Sequence, residues 1–196
     1  MNTCKLATKR TAGLVILLLL VLLLGGCGKA EVNPAPTDNL VEDTPAPLHS
    51  TSGLTARLEI PKQLTTRDEV NLKFTLTNIS ERPMYVLKWY TPLEGIAGKI
   101  FRVTRDGQMV PFDGILASRA APSLDAYVFL AAGASVSAVV DLSTSFDFSK
   151  AGTYEIQFIS PRISHIALSE AEMATSVDDL RPVEIPSHPV TVLIGE

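Results

Sequence analysis

The chain has 196 residues, 46% of them hydrophobic, with 17 lysines and arginines against 21 aspartates and glutamates and a formal net charge of −4. That balance speaks against a nucleic-acid partner, because phosphate contacts need a basic face. It also offers no attraction to anionic lipid.

Residues 1–12 carry Lys5, Lys9 and Arg10 and no acid, and they run into the apolar block GLVILLLLVLLL at 13–24. A basic region followed by an apolar one is the organisation of an export signal. Twelve residues at 1.5 Å rise span about 18 Å as a helix, short of the roughly 30 Å hydrocarbon core, so a permanent span is the weaker reading. The block closes in LGGC, which resembles the lipobox of bacterial lipoproteins. That resemblance implies a signal peptide at 1–26, cleavage before Cys27, and acylation of Cys27 with chains such as palmitate. It places the protein in the bacterial cell envelope, on the outer membrane where the cell has two, since Gly28 and not aspartate follows the cysteine. Cys4 leaves with the signal, so Cys27 has no disulfide partner. Without Lys5, Lys9 and Arg10, 14 basic residues face 21 acidic ones, a net charge of −7.

Residues 28–53, GKAEVNPAPTDNLVEDTPAPLHSTSG, are rich in Pro, Ala, Thr and acids and have no apolar period. Such a segment buries too little surface to offset its ordering entropy, so 27–53 is expected to be a lipidated, disordered tether. At about 3.1 Å per residue in polyproline conformation its reach is roughly 80 Å. Residues 54–196 are enough for one domain with a core and too few for two.

Within that domain the dominant signal is alternation. In EVNLKFTLTN, Val70, Leu72, Phe74 and Leu76 alternate with Asn71, Lys73, Thr75 and Thr77, the period of a strand with one buried face. The same pattern marks Leu54 to Ile60, Val136 to Leu142, Tyr154 to Phe158 and Val190 to Ile194. Shorter strands are expected at Met84 to Trp89, Ile100 to Thr104, Met109 to Phe112 and Asp125 to Leu130. Asp106-Gly107 between two apolar runs is the preferred pair of a type I′ hairpin turn, since both residues tolerate positive φ. The expected fold is therefore all-β, an immunoglobulin-like antiparallel β-sandwich, with a closed barrel second.

Gly152-Thr153-Tyr154 at the start of a late strand looks like the tyrosine corner of such sandwiches, which makes Tyr154 structural. Trp89, the only tryptophan, would share a strand face with Tyr85 and Leu87; it serves either core packing or surface recognition. Residues 160–187 break the pattern as an acidic excursion, in which Ser169 and Glu172 have capping-box spacing for a short helix.

Catalytic equipment is sparse. His49, His165 and His188 are the only histidines, and none belongs to an H-E-x-x-H helix. His165 near Glu170 and Glu172 reads as a solvated side chain. No G-x-S-x-G elbow or glycine-rich phosphate loop occurs, and Asp178-Asp179 lacks the partly buried, opposed setting of acid–base catalysis. The expectation is a protein that is not an enzyme and carries no cofactor or metal.

The stretches NLKFTLTNISERPMYVLKWYTPLEG, IFRVTRDGQMVPFDG and RAAPSLDAYVFLAAGASVSAVVDLSTSFDFSKAGTYEIQF resemble the amino-terminal pro-domain of the deuterolysin-like, peptidyl-Lys zinc metallopeptidases, the aspzincins. Asn78, Val86 to Trp89, Thr91 to Gly95, Asp106-Gly107, Ala120 to Pro122, Asp125 to Tyr127 and AGTY carry the likeness. Phe112 and the AAGAS turn depart from the family's pattern, a matter of packing. The catalytic H-E-x-x-H is missing, so no catalytic residue transfers. What the resemblance implies is the role of a pro-domain, inhibiting a secreted or envelope metallopeptidase or assisting its folding. The loop after Trp89 then becomes the candidate partner-binding element: Lys88, Trp89, Thr91, Pro92, Leu93 and Glu94, with Pro92 stiffening the chain, Leu93 and Glu94 projecting, and Lys88 imitating a lysine-directed substrate. A plain strand connector accounts for the same residues. The alternative function is an envelope lipoprotein, structural or ligand-binding, with no protease partner.

Overall fold

A computed structural model of the protein describes residues 46–159 and 165–196. The expected signal peptide, Cys27 and most of the tether lie outside the described residues. Among these residues the fold is all-β, eleven strands joined by loops and short 3₁₀ turns. One layer is the antiparallel sheet β1 (Leu54–Glu59), β3 (Asn71–Asn78) and β8 (Ser135–Asp141), in the order β1-β3-β8. The facing layer has five strands in the order β2-β11-β9-β5-β6: β2 (Gln63–Thr65), β5 (Phe101–Arg105), β6 (Gln108–Met109), β9 (Gly152–Phe158) and β11 (Val190–Gly195). A third sheet pairs β4 (Met84–Leu87) with β7 (Tyr127–Leu130) and β10 (Ile166–Ala167).

The alternation seen in the sequence fills the space between the layers. Leu72, Phe74 and Leu76 of β3 are fully buried and meet Phe101, Val103, Tyr154, Ile156, Phe158, Val192 and Ile194 of the opposite sheet. The Phe74 and Phe158 rings cross the interface with centroids 5.1 Å apart. Register follows the pattern, with Phe74 opposite Leu58 on one side and Ala138 on the other, so one face of β3 stays apolar along its length.

Asp106 and Gly107 have φ of 47° and 80°, the two positive values a type I′ turn requires, and they join β5 to β6 with Arg105 opposite Gln108. Tyr154 is fully buried and its hydroxyl donates to the Lys150 carbonyl at 2.7 Å, a tyrosine corner by geometry.

Several expectations need correction. β2 carries only Leu64 as an apolar residue and pairs in parallel with β11, so the sheets are not wholly antiparallel. β10 is two residues long and has no alternating signal. Phe112 lies beyond β6, in an isolated bridge to Phe146, with its ring packed half-buried on the main core. Trp89 is outside its strand, because β4 stops at Leu87. Fixed backbone also starts ahead of Leu54: the Ser52 hydroxyl donates to the Glu184 carbonyl at 2.5 Å, and Ile79 N–H donates to the Gly53 carbonyl at 2.8 Å.

Three carboxylates, one ending β1 and two in connectors, set the sign of the pH response. Lys73 holds the Glu59 carboxyl below its usual range, the Thr65 N–H does so for Asp68, and the Ser149 hydroxyl does so for Asp147. A carboxyl whose folded value lies below its unfolded value stabilises the fold above the unfolded value, near pH 4, and loses that contribution as pH falls through the folded value. Thermal melts should therefore show Tm falling on acidification from about pH 5 to about pH 3. Asp68→Asn should flatten that slope; an identical slope would remove Asp68 from the account.

Candidate functional site

β4 is buried on both faces, which is why the chain after it does not run free. Met84 and Val86 enter the main core, while Leu87 and Trp89 join a second cluster with Ala126, Tyr127, Ala167, Met173, Ala174 and Leu180. Trp89 is 8% exposed and is thus a core residue of this smaller cluster. The acidic excursion covers it. Its turn at Glu170–Glu172 is 3₁₀, and Ser169 makes no side-chain cap; the Glu172 carboxylate instead accepts from Leu168 N–H at 2.9 Å. The Tyr127 hydroxyl accepts from Ala174 N–H at 3.1 Å, and burial pushes the Tyr127 phenol above its usual range.

His165 belongs to the same cluster and is buried, not solvated. Its Nδ1 accepts from Arg181 N–H at 3.1 Å, which leaves Nε2 to donate to the Glu172 carbonyl at 3.3 Å. Both ring nitrogens are engaged with backbone. Among the described residues no three His, Cys, Asp or Glu side chains gather as a metal site.

The candidate loop is folded on itself. Tyr90 takes a left-handed φ of 53° and its N–H donates to Glu94 Oε1 at 2.6 Å. Thr91 is fully buried; its hydroxyl donates to the Lys88 carbonyl at 2.6 Å and accepts from Leu93 N–H at 3.2 Å. Lys88 N–H donates to the Ala126 carbonyl at 2.8 Å and thereby prolongs the β4–β7 pairing by one rung. Pro92 is buried. Leu93 and Glu94 were expected to project. Leu93 instead packs half-buried on the main core, and Glu94 forms an ion pair with Arg119. The physical reason is a long-range charge pair that composition does not disclose.

Arg119 is the residue that sequence reasoning missed. Its side chain and that of Glu94 are 20% and 15% exposed, and its guanidinium lies 5.2 Å from the Trp89 ring centre and 5.4 Å from that of Tyr90. The Tyr90 hydroxyl donates to the Ala117 carbonyl at 3.1 Å, and Ala117 N–H donates to the Ala97 carbonyl at 3.0 Å. Residues 88–98 and 113–119 therefore form one unit of two loops. Gly98 lets the Tyr90 ring seat, because a Cβ there would come within 2.8 Å of Tyr90 Cδ1. The only sequence hint of the second loop is the adjacent pair Ile115-Leu116 amid polar residues; each is 75% exposed. Asp125 stands beside Lys88 on the rim, its carboxyl held below its usual range first by the Ser123 hydroxyl and only lastly by the Lys88 charge.

Arg119→Ala removes a half-buried cation from two rings and leaves Glu94 with one N–H donor. We expect a loss of about 1–2 kcal/mol, between the costs of exposed and fully buried pairs. Trp89, the sole tryptophan, reports it: its emission should shift to the red on loosening of the clamp. An unchanged emission maximum and midpoint would show that the pair does not hold the loops.

No family model matches the chain. It is 40% identical over 113 residues to a protein named extracellular protease from Aeromonas hydrophila, covering 58% of this chain and 32% of that one. It is 29% identical over 154 residues to a neutral protease 2 homolog from Uncinocarpus reesii (72% of this chain, 42% of that one), and 28% identical over 96 residues to the neutral protease 2 homolog MEP3 of Coccidioides posadasii (48% and 27%). The chain thus spans between about a quarter and two fifths of the length of the curated relatives it matches. Part of it is a protease-related region. Among solved structures, the CARDB domain of a Pyrococcus furiosus protein overlaps 73% of this chain and 94% of that one at 11% identity with a TM-score of 0.32. That overlap is too remote to bear on the fold, which rests on the sheets and core.

Proposed function

We propose that the protein is a lipid-anchored, non-catalytic partner-binding module, related to the pro-region of a metallopeptidase, that inhibits a secreted or envelope protease or assists its folding. The observation that supports this reading is the 40% identity to a part of an extracellular protease. The half-buried pair of Glu94 and Arg119 supports it further, since loops held by the fold have less entropy to lose on docking. Cys27 anchors the module to the bilayer of the bacterial envelope.

Two measurements test the reading. Titrating the full chain into a deuterolysin-like protease should slow cleavage at micromolar excess or raise the yield of refolded protease; no change in either would end the proposal. Cys27→Ala should abolish palmitate labelling and move the chain out of the membrane fraction, and retention of both would remove the anchor.

A further inference from the structure

The acidic excursion lies over the second cluster, and one imidazole ties its two turns together. His165 is buried, its ring set edge-on to that of Tyr127 with centres 6.2 Å apart. Nε2 donates to the carbonyl of Glu172, which ends the first turn, and Nδ1 accepts from Arg181 N–H, just past the second turn at Val177–Asp179. The His165 carbonyl accepts from Leu87 N–H at 2.9 Å, so the backbone that carries the ring is itself fixed to β4. What lies beneath is apolar. Met173, Ala174 and Leu180 of the excursion pack with Leu87, Trp89 and Tyr127.

This pair of bonds admits one protonation state. A neutral imidazole has one N–H and one bare nitrogen, and the Glu172 carbonyl and Arg181 N–H use both. An imidazolium has two N–H groups, so a proton added at Nδ1 faces the Arg181 N–H with no acceptor between them, and a buried donor without a partner is costly. The charges around the ring favour uptake of that proton. On the excursion these are Glu170, whose carboxylate accepts from the Tyr85 hydroxyl at 3.4 Å, Glu172, whose carboxylate accepts from Leu168 N–H, and Asp178 and Asp179 of the second turn. The Arg181 guanidinium is turned to the Asp178 and Leu180 carbonyls. From β7 the Tyr127 phenol faces the ring, neutral at the pH in question, and Lys88 and Asp125 stand on the rim.

We propose that His165 is a proton-operated latch: uptake of one proton at Nδ1 turns the acceptor of the Arg181 N–H into a second donor and frees the 166–182 cover from the Leu87–Trp89–Tyr127 cluster. The closed cover accommodates the neutral ring alone, whereas an opened cover leaves the ring in water, where it takes a proton freely. Acid therefore favours the open form, by up to about tenfold per pH unit below the histidine range near about pH 6.5. Glu59, Asp68 and Asp147 respond nearer pH 4, below this window. Opening also disturbs one wall of the Glu94–Arg119 pair, because the Arg119 guanidinium rests on Trp89. The latch goes beyond the function proposed above and does not depend on it.

Hydrogen exchange of the full chain, read at single amides and corrected for the intrinsic pH dependence of exchange, tests it. Ala174 N–H, which donates to the Tyr127 hydroxyl, and Arg181 N–H report the cover; the amides of β3 report the main core. Protection of Ala174 and Arg181 should fall at least about fivefold between about pH 7.5 and about pH 5.5 while β3 is unchanged, and the emission of Trp89, the sole tryptophan, should move to the red in step. His165→Asn, which sets an oxygen acceptor near the Nδ1 position and takes no proton, should show no fall. His188→Gln should fall as the unsubstituted chain does. Protection independent of pH in the unsubstituted chain overturns the latch, and so does an equal fall at β3 or in His165→Asn. Should His165→Asn open the cover at every pH, the ring-proton resonance of His165 in the unsubstituted chain decides: protonation in step with lost protection upholds the latch, and protonation with protection unchanged overturns it.

Discussion

Asn78→Ala is expected to lower the unfolding free energy by about 3–5 kcal/mol, a large part of the stability of an ordinary domain. Asn78 ends β3 and is fully buried. Its side-chain amide donates to the carbonyls of Arg82, Leu130 and Ala131 at 2.8, 3.2 and 3.1 Å, and its Oδ1 accepts from Ser80 N–H at 2.9 Å and from the Ser80 hydroxyl at 2.7 Å. One side chain thus joins the end of the first sheet to the end of β7 in the third. Alanine removes all five bonds: the Arg82 and Ala131 carbonyls keep only the Ser80 hydroxyl and Ala134 N–H as donors, and the Ser80 N–H loses its side-chain acceptor, a buried group left unpaired costing about 1–3 kcal/mol. Asn78→Asp should be worse, since it keeps the acceptor, loses the donor and sets a negative charge among carbonyl oxygens. Denaturant melts at constant slope measure both. A loss under about 1 kcal/mol for either variant would mean that water replaces the amide and that the junction does not depend on it.

Phe74→Ala should cost a similar amount, about 3–5 kcal/mol, for a different reason. Phe74 lies at the middle of β3, fully buried, with its ring 5.1 Å from that of Phe158 across the layers. Truncation loses the transfer of the ring from water and leaves a cavity that neighbouring Leu58 and Ala138, fixed in register on both sides, are poorly placed to fill. Phe74→Leu separates the two terms: it keeps most of the apolar volume and should cost less than half as much. Equal losses for the two variants would show that ring geometry, not volume, sets the penalty.

These two residues also show why some of the molecule was legible before its structure. Phe74 is marked by alternation, a property of its immediate neighbours, and any strand that buries one face must show it. The same holds for the Asp106-Gly107 turn, whose requirement for positive φ is local. Asn78 drew notice as part of a resemblance, but its role depends on carbonyls more than 50 residues away. The loop at 88–95 misled for a matching reason. Its proline and its position after a strand describe an exposed connector, while the ion pair between Glu94 and Arg119 and the turns around Thr91 draw it inward.

Period-two apolar runs, the turn residues between them and the corner at Tyr154 specify strands that must bury one face, whatever else the chain does. Only the tertiary pairings turn the 88–98 loop inward while Ile115 and Leu116 stay exposed, set β2 parallel to β11, and bring His165 and Trp89 into a second cluster. Those outcomes depend on pairings between distant residues, where charge, ring stacking and backbone donors select one partner among many, and no local pattern encodes that selection.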